Sequence, residues 1–348
     1  MKKTRILFLF FVVAGLTGLA FAKTDWDGIN KNIVNLSSQK KLSEAVKVGE
    51  EALLAASDDR KKVLPPESST VMINLGILYK RSGDLERAER HLKNAMVIRE
   101  KSYSVNDPLL AKICSSLGAI YNEQGKFHEA EYCYERALKL KESLKGENHV
   151  EVASVLDSLS GVYQSLENFP KAVELLKRAL KIRIEAYGEE DLRTGVLYFN
   201  LGELYMAQEK KSDAESNYLR ALAAFEASGE NNPKTVYPLN QLALIYQDKG
   251  KFTEAESFYR RALKIRQAIY GDSHIEVANS LNNLAAVYLM QKKPQAEKLL
   301  LKALKICEDY HGSPVSLKRV LDNLIQYYQE THQAEKVSKY QKKLKKII

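Results

Sequence analysis

The chain has 348 residues, with 53 basic and 44 acidic side chains and a formal net charge of +9 at pH 7. Three cysteines are too few for a scaffold held by disulfides, and a mild positive charge suits acidic partners without specifying a nucleic acid. Because single hydrophobic cores usually stop growing at about 250–300 residues, this length predicts either two domains or an array of repeats.

The first 22 residues have the three parts of a secretory signal peptide. Three basic residues precede an apolar stretch over residues 6–19, and Ala20 and Ala22 supply the small residues of a cleavage site. We therefore expect cleavage after Ala22 and a periplasmic or secreted protein without a stable membrane span. The alternative is an uncleaved membrane anchor, for which the apolar stretch is short because a spanning helix needs about 20 residues.

Residues 23–67 predict a divergent N-terminal capping repeat. Ala45 and Ala52 are seven residues apart and so share one face of a helix, but the tyrosine that marks the later repeats is missing. Pro65 and Pro66 interrupt the pattern before the regular array begins.

A Leu-small-x-x-Tyr motif then recurs at intervals of 40–42 residues. Its leucines are Leu75, Leu117, Leu159, Leu201, Leu242, Leu284 and, in a degraded copy, Leu324. Behind each motif of the six regular units lies a pair of alanines seven residues apart: Ala88/Ala95, Ala130/Ala137, Ala172/Ala179, Ala214/Ala221, Ala255/Ala262 and Ala296/Ala303. A fixed period of this kind indicates a repeat architecture, with six regular units over residues 68–312.

Each unit predicts a helix, a short turn and a second helix. In three units a glycine follows the tyrosine by four residues, where it can adopt the left-handed conformation that ends a helix: Gly83, Gly125 and Gly250. In the other three the corresponding residues are Glu167, Glu209 and Lys292, and there we expect the turn to be made in another way.

Small residues predict how the two helices of a unit pack. Gly76 on the first helix and Ala88 on the second leave room for their backbones to approach toward the short end of the usual 8–10 Å. A single helix pair cannot bury its apolar face, so the units must stack. The predicted fold is an all-α solenoid of antiparallel helix pairs, coiled as a right-handed superhelix.

The motif resembles the tetratricopeptide repeat. The longer unit, with stretches such as GDSHIEVANSLNNLAAVYLMQKK and AESFYRRALKIRQAIYG, is similar to the kinesin-light-chain type of that repeat. The resemblance implies a non-catalytic scaffold that binds a protein or an extended peptide. It also implies that the first helices line the inner surface, where asparagines hold the backbone of the bound peptide.

Carboxamides occur at the corresponding positions of this chain. The residue before the core leucine is an asparagine in four of seven units and a glutamine in a fifth, and two further asparagines precede these. A carboxamide both donates and accepts hydrogen bonds and so can bracket a peptide bond. The predicted peptide-binding residues, concentrated in the C-terminal half, are Asn74, Asn200, Asn240, Gln241, Asn282, Asn283 and Asn323.

No catalytic motif occurs in the sequence: G-x-S-x-G, C-x-x-C and H-E-x-x-H are all missing. His149 and His274 occupy equivalent turns three units apart, so we interpret them as turn residues and not as metal ligands. The cysteines are interpreted as small buried hydrophobic residues. We expect no enzymatic activity, no cofactor and no nucleic-acid partner.

Residues 313–348 predict a degraded terminal repeat followed by a lysine-rich capping helix. A polar last helix would shield the end of the core. Two other functional hypotheses remain open: a structural component of an envelope or secreted assembly, and binding to anionic surfaces through this basic C-terminus. The sequence leaves the oligomeric state undetermined.

Overall fold

The structure is a computed structural model that describes residues 24–57, 64–104, 106–310 and 313–347. The predicted signal peptide lies outside these residues. Within them the chain forms sixteen α-helices and one 3₁₀ turn (Pro233–Thr235) and no β-strand, which confirms the predicted all-α class. None of these helices is both long and apolar enough to cross a bilayer.

The helices in chain order are α1 (Trp26–Ser38), α2 (Leu42–Ser57), α3 (Ser68–Arg81), α4 (Leu85–Ser102), α5 (Pro108–Glu123), α6 (Phe127–Lys145), α7 (Val150–Ser165), α8 (Phe169–Tyr187), α9 (Leu192–Ala207), α10 (Lys211–Ala227), α11 (Val236–Asp248), α12 (Phe252–Tyr270), α13 (Ile275–Met290), α14 (Gln295–Asp309), α15 (Pro314–Glu330) and α16 (Ala334–Leu344).

Two compact units divide the chain, Met1–Ile120 and Tyr121–Ile348. In the first unit α1 packs on α2 and α3, and α3 packs on α4. In the second unit each odd-numbered helix from α7 to α15 packs on the even-numbered helix that follows it, and that helix packs in turn on the first helix of the next pair. The buried side chains therefore join neighbouring helix pairs into a continuous stack within the second unit.

The predicted role of the small residues in helix packing is confirmed. A Cβ atom added to Gly76 would lie 2.6 Å from Cγ of Leu92 and 3.2 Å from the carbonyl oxygen of Ala88. One added to Gly202 would lie 2.5 Å from Cε1 of Tyr218. Because atoms do not approach so closely without displacing one another, glycine at these two positions sets the distance between the first and second helix.

The turns between the two helices of the six regular repeats all adopt one conformation. This corrects the expectation that the turns without glycine are made in another way. The predicted glycines are left-handed, with φ of 84° at Gly83, 73° at Gly125 and 70° at Gly250. The residues without glycine adopt the same conformation, with φ of 58° at Glu167, 59° at Glu209 and 53° at Lys292. The expectation of a different turn was wrong because the packing of the flanking helices imposes the left-handed turn whichever residue occupies it.

Tyrosines of the repeat motif hydrogen-bond to the preceding helix pair. The hydroxyl of Tyr163 donates to Oε1 of Glu131 at 2.6 Å, and the hydroxyl of Tyr328 donates to Oε1 of Glu297 at 2.7 Å. Burial, followed by the neighbouring carboxylates, raises the pKa of Tyr163, so its hydroxyl stays protonated as a donor. In the next repeat, Val173 occupies the position of Glu131 and cannot accept a hydrogen bond. Tyr205, which corresponds to Tyr163, accordingly forms no such bond among the described residues.

The last helix places its apolar residues on the core. Tyr340 is buried, and Val337, Leu344 and Ile347 pack against the same cluster of buried side chains. The lysines of α16 lie mainly on the opposite, exposed side. All three cysteine side chains are buried, in agreement with their interpretation as small core residues.

Candidate peptide-binding face

The predicted peptide-binding residues all lie on first helices, that is on α3, α9, α11, α13 and α15. Six of the seven are half-buried, whereas only 4% of Asn282 is exposed. We call the part of this surface in the second unit the first-helix face, defined by the two residues before each core leucine on α7, α9, α11, α13 and α15.

Hydrogen bonds donated by asparagine amides tie neighbouring first helices together. Nδ2 of Asn200 on α9 donates to Oδ1 of Asp157 on α7 at 2.9 Å, and Nδ2 of Asn323 on α15 donates to Oδ1 of Asn282 on α13 at 2.9 Å. In the first unit, Nδ2 of Asn74 donates to Oδ1 of Asn30 at 3.0 Å. In each case the donor immediately precedes a core leucine, and the acceptor lies on the first helix of the preceding pair. These asparagines therefore have a role between helices that the sequence analysis did not anticipate.

The series is interrupted on both sides of α11. Phe199 on α9 offers Gln241 no acceptor, and the bond between α11 and α13 is also missing. By position, Asn283 should donate to Asn240. Instead, Oδ1 of Asn283 accepts a hydrogen bond from Arg319 on α15 at 3.1 Å. Oδ1 of Asn240 is buried and has no hydrogen-bond partner among the described residues. The amide groups of α11 and α13 are thus the least satisfied by the protein's own contacts.

Two depressions open on the first-helix face of the second unit. The α7–α9 depression, with a volume of about 320 Å³, is lined by Asp157, Gln164, Leu176, Asn200 and Glu203. The α11–α13 depression, with a volume of about 300 Å³, extends to α15. Its lining includes Leu244, Gln247, Tyr259, Asn282, Asn283, Arg319 and Asn323. The structure thus brings three of the predicted asparagines together in the α11–α13 depression and places Asn200 in the other one.

Charge distinguishes the two depressions. The α7–α9 depression contains the carboxylates of Asp157 and Glu203. Burial raises the pKa of Asp157, and the amide of Asn200 only partly offsets that effect. The lining of the α11–α13 depression includes the guanidinium of Arg319 and a single carboxylate, that of the exposed Asp322. The first surface is therefore acidic, whereas the second offers several hydrogen-bond donors.

Sequence reasoning missed Tyr259 and Arg319. Tyr259 lies on α12, which is a second helix, four residues after Ala255. It lines the α11–α13 depression together with side chains of the first helices. The signal that could have found it is the exchange of leucine for tyrosine at this position in three of the six repeats: Leu92, Tyr134, Leu176, Tyr218, Tyr259 and Leu300.

The two histidines that the sequence placed in turns begin helices. Nδ1 of His149 accepts a hydrogen bond from the backbone N–H of Glu151, and Nδ1 of His274 accepts one from the backbone N–H of Glu276, each at 3.2 Å. Both are N-cap residues. In the part of the chain that the structure describes, no group of three or more His, Cys, Asp or Glu side chains could hold a metal ion.

Solved structures with similar folds include kinesin-light-chain-like proteins. BtubC (BKLC) from P. vanneervenii is 26% identical, with a TM-score of 0.55 over 72% of this chain and 94% of its own. A putative kinesin light chain from Podosopora anserina with nearly identical TPR-like repeats is 20% identical, with a TM-score of 0.53 over 60% of this chain and 99% of its own. No curated protein sequence matches the chain.

A signal-transduction ATPase with numerous domains from Pyrococcus horikoshii, which carries a tetratricopeptide repeat sensor, gives a TM-score of 0.66 at 16% identity. That alignment covers 92% of this chain and 47% of the other, and it shows the fold alone. The family model described as "Tetratricopeptide repeat" matches residues 67–143, 113–185, 151–227 and 235–309. Tetratricopeptide repeat proteins are generally non-catalytic scaffolds that bind other proteins. With its helix pairs, its small-residue packing and these four matches, the chain belongs to the tetratricopeptide repeat family.

Proposed function

We propose that this protein is a non-catalytic scaffold that binds an extended segment of another protein along the first-helix face of α9, α11, α13 and α15. The observation that carries the proposal is the α11–α13 depression, where side chains of three successive first helices surround an open space of about 300 Å³. The incomplete bonding of Asn240 at the same pair of helices also supports it.

The spacing of the helices suits an extended backbone. Packed helices lie about 8–10 Å apart, and an extended chain rises about 3.3 Å per residue. One amide of the face would therefore meet the bound segment at about every third residue. Because a carboxamide recognises the peptide bond and not the side chain, these contacts would provide affinity, and the residues between them would provide specificity.

A displayed library of random peptides, selected against the purified protein, tests this proposal. Gln241 makes no hydrogen bond to any described residue, and the amide of Asn283 bonds only to the exposed Arg319. The variant Gln241→Ala/Asn283→Ala should therefore fold normally and bind a selected peptide about tenfold more weakly, since each lost hydrogen bond contributes about 0.5–1.5 kcal/mol.

Asn74→Ala is the matched control because it removes the same amide position in the first unit, on α3. The control should bind the selected peptide as the wild type does. Equal affinity of the double variant and the wild type would contradict the proposed site, and a library without binders would contradict the proposed function.

We also propose that the protein acts outside the cytoplasm, on the strength of its signal-like first 22 residues. Sequencing the N-terminus of the protein isolated from its own cells tests this directly. Cleavage after Ala22 is the expected result, whereas a membrane-associated protein with an intact N-terminus would favour the uncleaved anchor.

A second candidate function is adhesion to an anionic surface through the basic C-terminus. It is favoured by four exposed lysines in the C-terminal segment that form no ion pair among the described residues: Lys339, Lys342, Lys345 and Lys346. Binding of this kind should weaken strongly between low and moderate salt. Replacement of the four lysines by glutamine should abolish it, while peptide selection by the first-helix face stays unchanged.

A further inference from the structure

Three tyrosines occupy the same position of the repeat, where a second helix ends: Tyr103, Tyr187 and Tyr270, each fifteen residues after the first alanine of its pair. An arginine covers two of the three rings. Cζ of Arg99 lies 3.7 Å from the ring centroid of Tyr103, and Cζ of Arg193 lies 3.2 Å from that of Tyr187. The negative face of an aromatic ring attracts a guanidinium at this distance. A cation is thus the usual neighbour of a tyrosine at this position.

Neither of these arginines has a counterpart that covers Tyr270. The residue that corresponds to Arg193 is Glu276, which carries the opposite charge. The residue that corresponds to Arg99 is Arg266, and its guanidinium forms an ion pair with Glu276 at 2.7 Å instead. No lysine or arginine among the described residues lies over the ring of Tyr270, which is 44% exposed. The cation that its two equivalents receive from the chain itself is therefore missing at Tyr270.

Tyr270 belongs to an exposed aromatic cluster, which we call the aromatic edge. It consists of Tyr270 at the end of α12, His274 at the start of α13 and Tyr310 just after α14. The rings of His274 and Tyr270 are stacked with their centroids 4.5 Å apart, and Tyr310 meets His274 edge to face at 5.4 Å. Because His274 covers only one face of the Tyr270 ring, the other face is left for a partner. Tyr310 is 46% exposed and extends the same apolar surface.

We propose that an arginine side chain of a partner protein lies over the open face of Tyr270, as an arginine of the chain itself lies over the two equivalent tyrosines. Its guanidinium stacks on the ring, and its methylene groups pack on the exposed ring of Tyr310. This contact is separate from the first-helix face, because His274 precedes Asn283 by nine residues, about 14 Å along α13. It adds a second surface to the proposed scaffold and does not depend on peptide binding by the first.

The charges beside the ring are compatible with a bound cation. Residues 271–276 carry two carboxylates, those of Asp272 and Glu276, and no lysine or arginine. Glu276 is paired with Arg266, whereas 68% of the Asp272 side chain is exposed, with Nζ of Lys302 at 3.5 Å. An exposed carboxylate next to the aromatic edge can accept hydrogen bonds from a guanidinium. Arginine suits the place better than lysine, because its planar group is less strongly hydrated and stacks on aromatic faces.

The test selects peptides from the random library described above on the wild-type protein, after peptides that also bind the Tyr270→Leu variant have been removed. Peptides held by the first-helix face bind both proteins and are discarded, so the result is independent of the proposed function. The remaining peptides should contain an arginine. Citrulline has a similar shape but no charge, and its substitution for that arginine should weaken binding about fivefold. A library without remaining peptides, or equal affinity of the citrulline peptide, would overturn the proposal.

A second variant keeps Tyr270 and supplies the missing cation from within the chain. Glu276→Arg places a guanidinium where Arg193 stands in its own repeat, and it also frees Arg266 from its ion pair. Competition for the ring should then weaken binding of a selected peptide about tenfold. Glu151→Arg is the matched control: it makes the same change of charge at the same position of another repeat, which has no tyrosine at the end of its second helix. Equal affinities of the two variants would contradict binding at the ring.

The place of binding is read from the ring signals of Tyr270 and His274 in NMR spectra. Both should shift in a saturable way with a selected arginine peptide, and the Tyr270→Phe variant should bind it as the wild type does, because the ring face and not the hydroxyl makes the contact. Tyr187→Leu should also bind normally, since the ring it removes is already covered by Arg193. Signals that shift only on the first-helix face, or a Tyr187→Leu variant as weak as Tyr270→Leu, would overturn the assignment to this ring.

Discussion

The α7–α9 and α11–α13 depressions occupy equivalent places in the repeat, yet the protein satisfies their polar groups differently. In the first, Asn200 donates to Asp157 across the two first helices. In the second, the corresponding bond is missing, and the buried oxygen of Asn240 has no partner among the described residues. The comparison indicates that one backbone frame produces both a closed, acidic surface and an incompletely bonded, donor-rich surface. The difference lies in the side chains and not in the arrangement of helices.

The largest effect on stability is expected at Gly202, which tests the packing of first and second helices that both depressions share. An added Cβ would lie 2.5 Å from the buried ring of Tyr218, so Gly202→Ala should lower the free energy of unfolding by about 1–3 kcal/mol. Gly161 on α7 is the control because nothing lies within 4 Å of a Cβ placed there. Gly161→Ala should stabilise the protein by up to about 1 kcal/mol through helix propensity. Denaturant titration measures both, and equal effects would contradict the packing of the first and second helices.

Leu244→Glu should convert the α11–α13 depression to the closed type. The new carboxylate would accept from the hydroxyl of Tyr259, as Glu203 does from that of Tyr218, and would occupy part of the depression that both residues line. Binding of a peptide selected from the random library should fall about tenfold, which corresponds to about 1.4 kcal/mol. Leu219→Glu, at another exposed leucine, is the control and should leave binding unchanged. Normal affinity in the Leu244 variant would contradict the binding role given to the α11–α13 depression.

Substitutions in the turns after α7 and α11 should change the free energy of unfolding by a smaller amount. Glu167 follows α7 and Gly250 follows α11, both with positive φ. A side chain in the left-handed region costs about 1–2 kcal/mol, and glycine's greater freedom in the unfolded chain offsets part of this. Glu167→Gly should therefore raise the free energy of unfolding by about 1 kcal/mol, and Gly250→Ala should lower it by a similar amount. Thermal unfolding of the two variants checks these opposite signs.

Sequence alone was sufficient for the parts of the fold that repeat. The core leucines, Gly76 and the paired alanines have the same neighbours in successive units, so their period predicts their packing. The partners of individual polar groups were not predictable, because Asn283 meets Arg319 only through the placement of α15 beside α13. Tyr259 was missed for the same reason. Tyr218 donates to Glu203, but the position of Glu203 is occupied on α11 by Leu244, which has no acceptor and lies fifteen residues before Tyr259 on another helix.

Asp157→Asn should produce the smallest effect, and one that depends on pH. The substitution gives α7 the residue type that Asn282 provides on α13, and its amide oxygen can still accept from Asn200. Burial raises the pKa of Asp157 above its ordinary value of 3.8. The charged form therefore carries a desolvation cost in the folded protein at neutral pH, and that cost is removed as the pH falls and the carboxyl becomes protonated. The variant should be more stable than the wild type at pH 7, and the difference should shrink as the pH is lowered toward 3.8. Denaturant titrations at a series of pH values measure this, and a stability difference independent of pH would show that Asp157 is not held in a desolvated site.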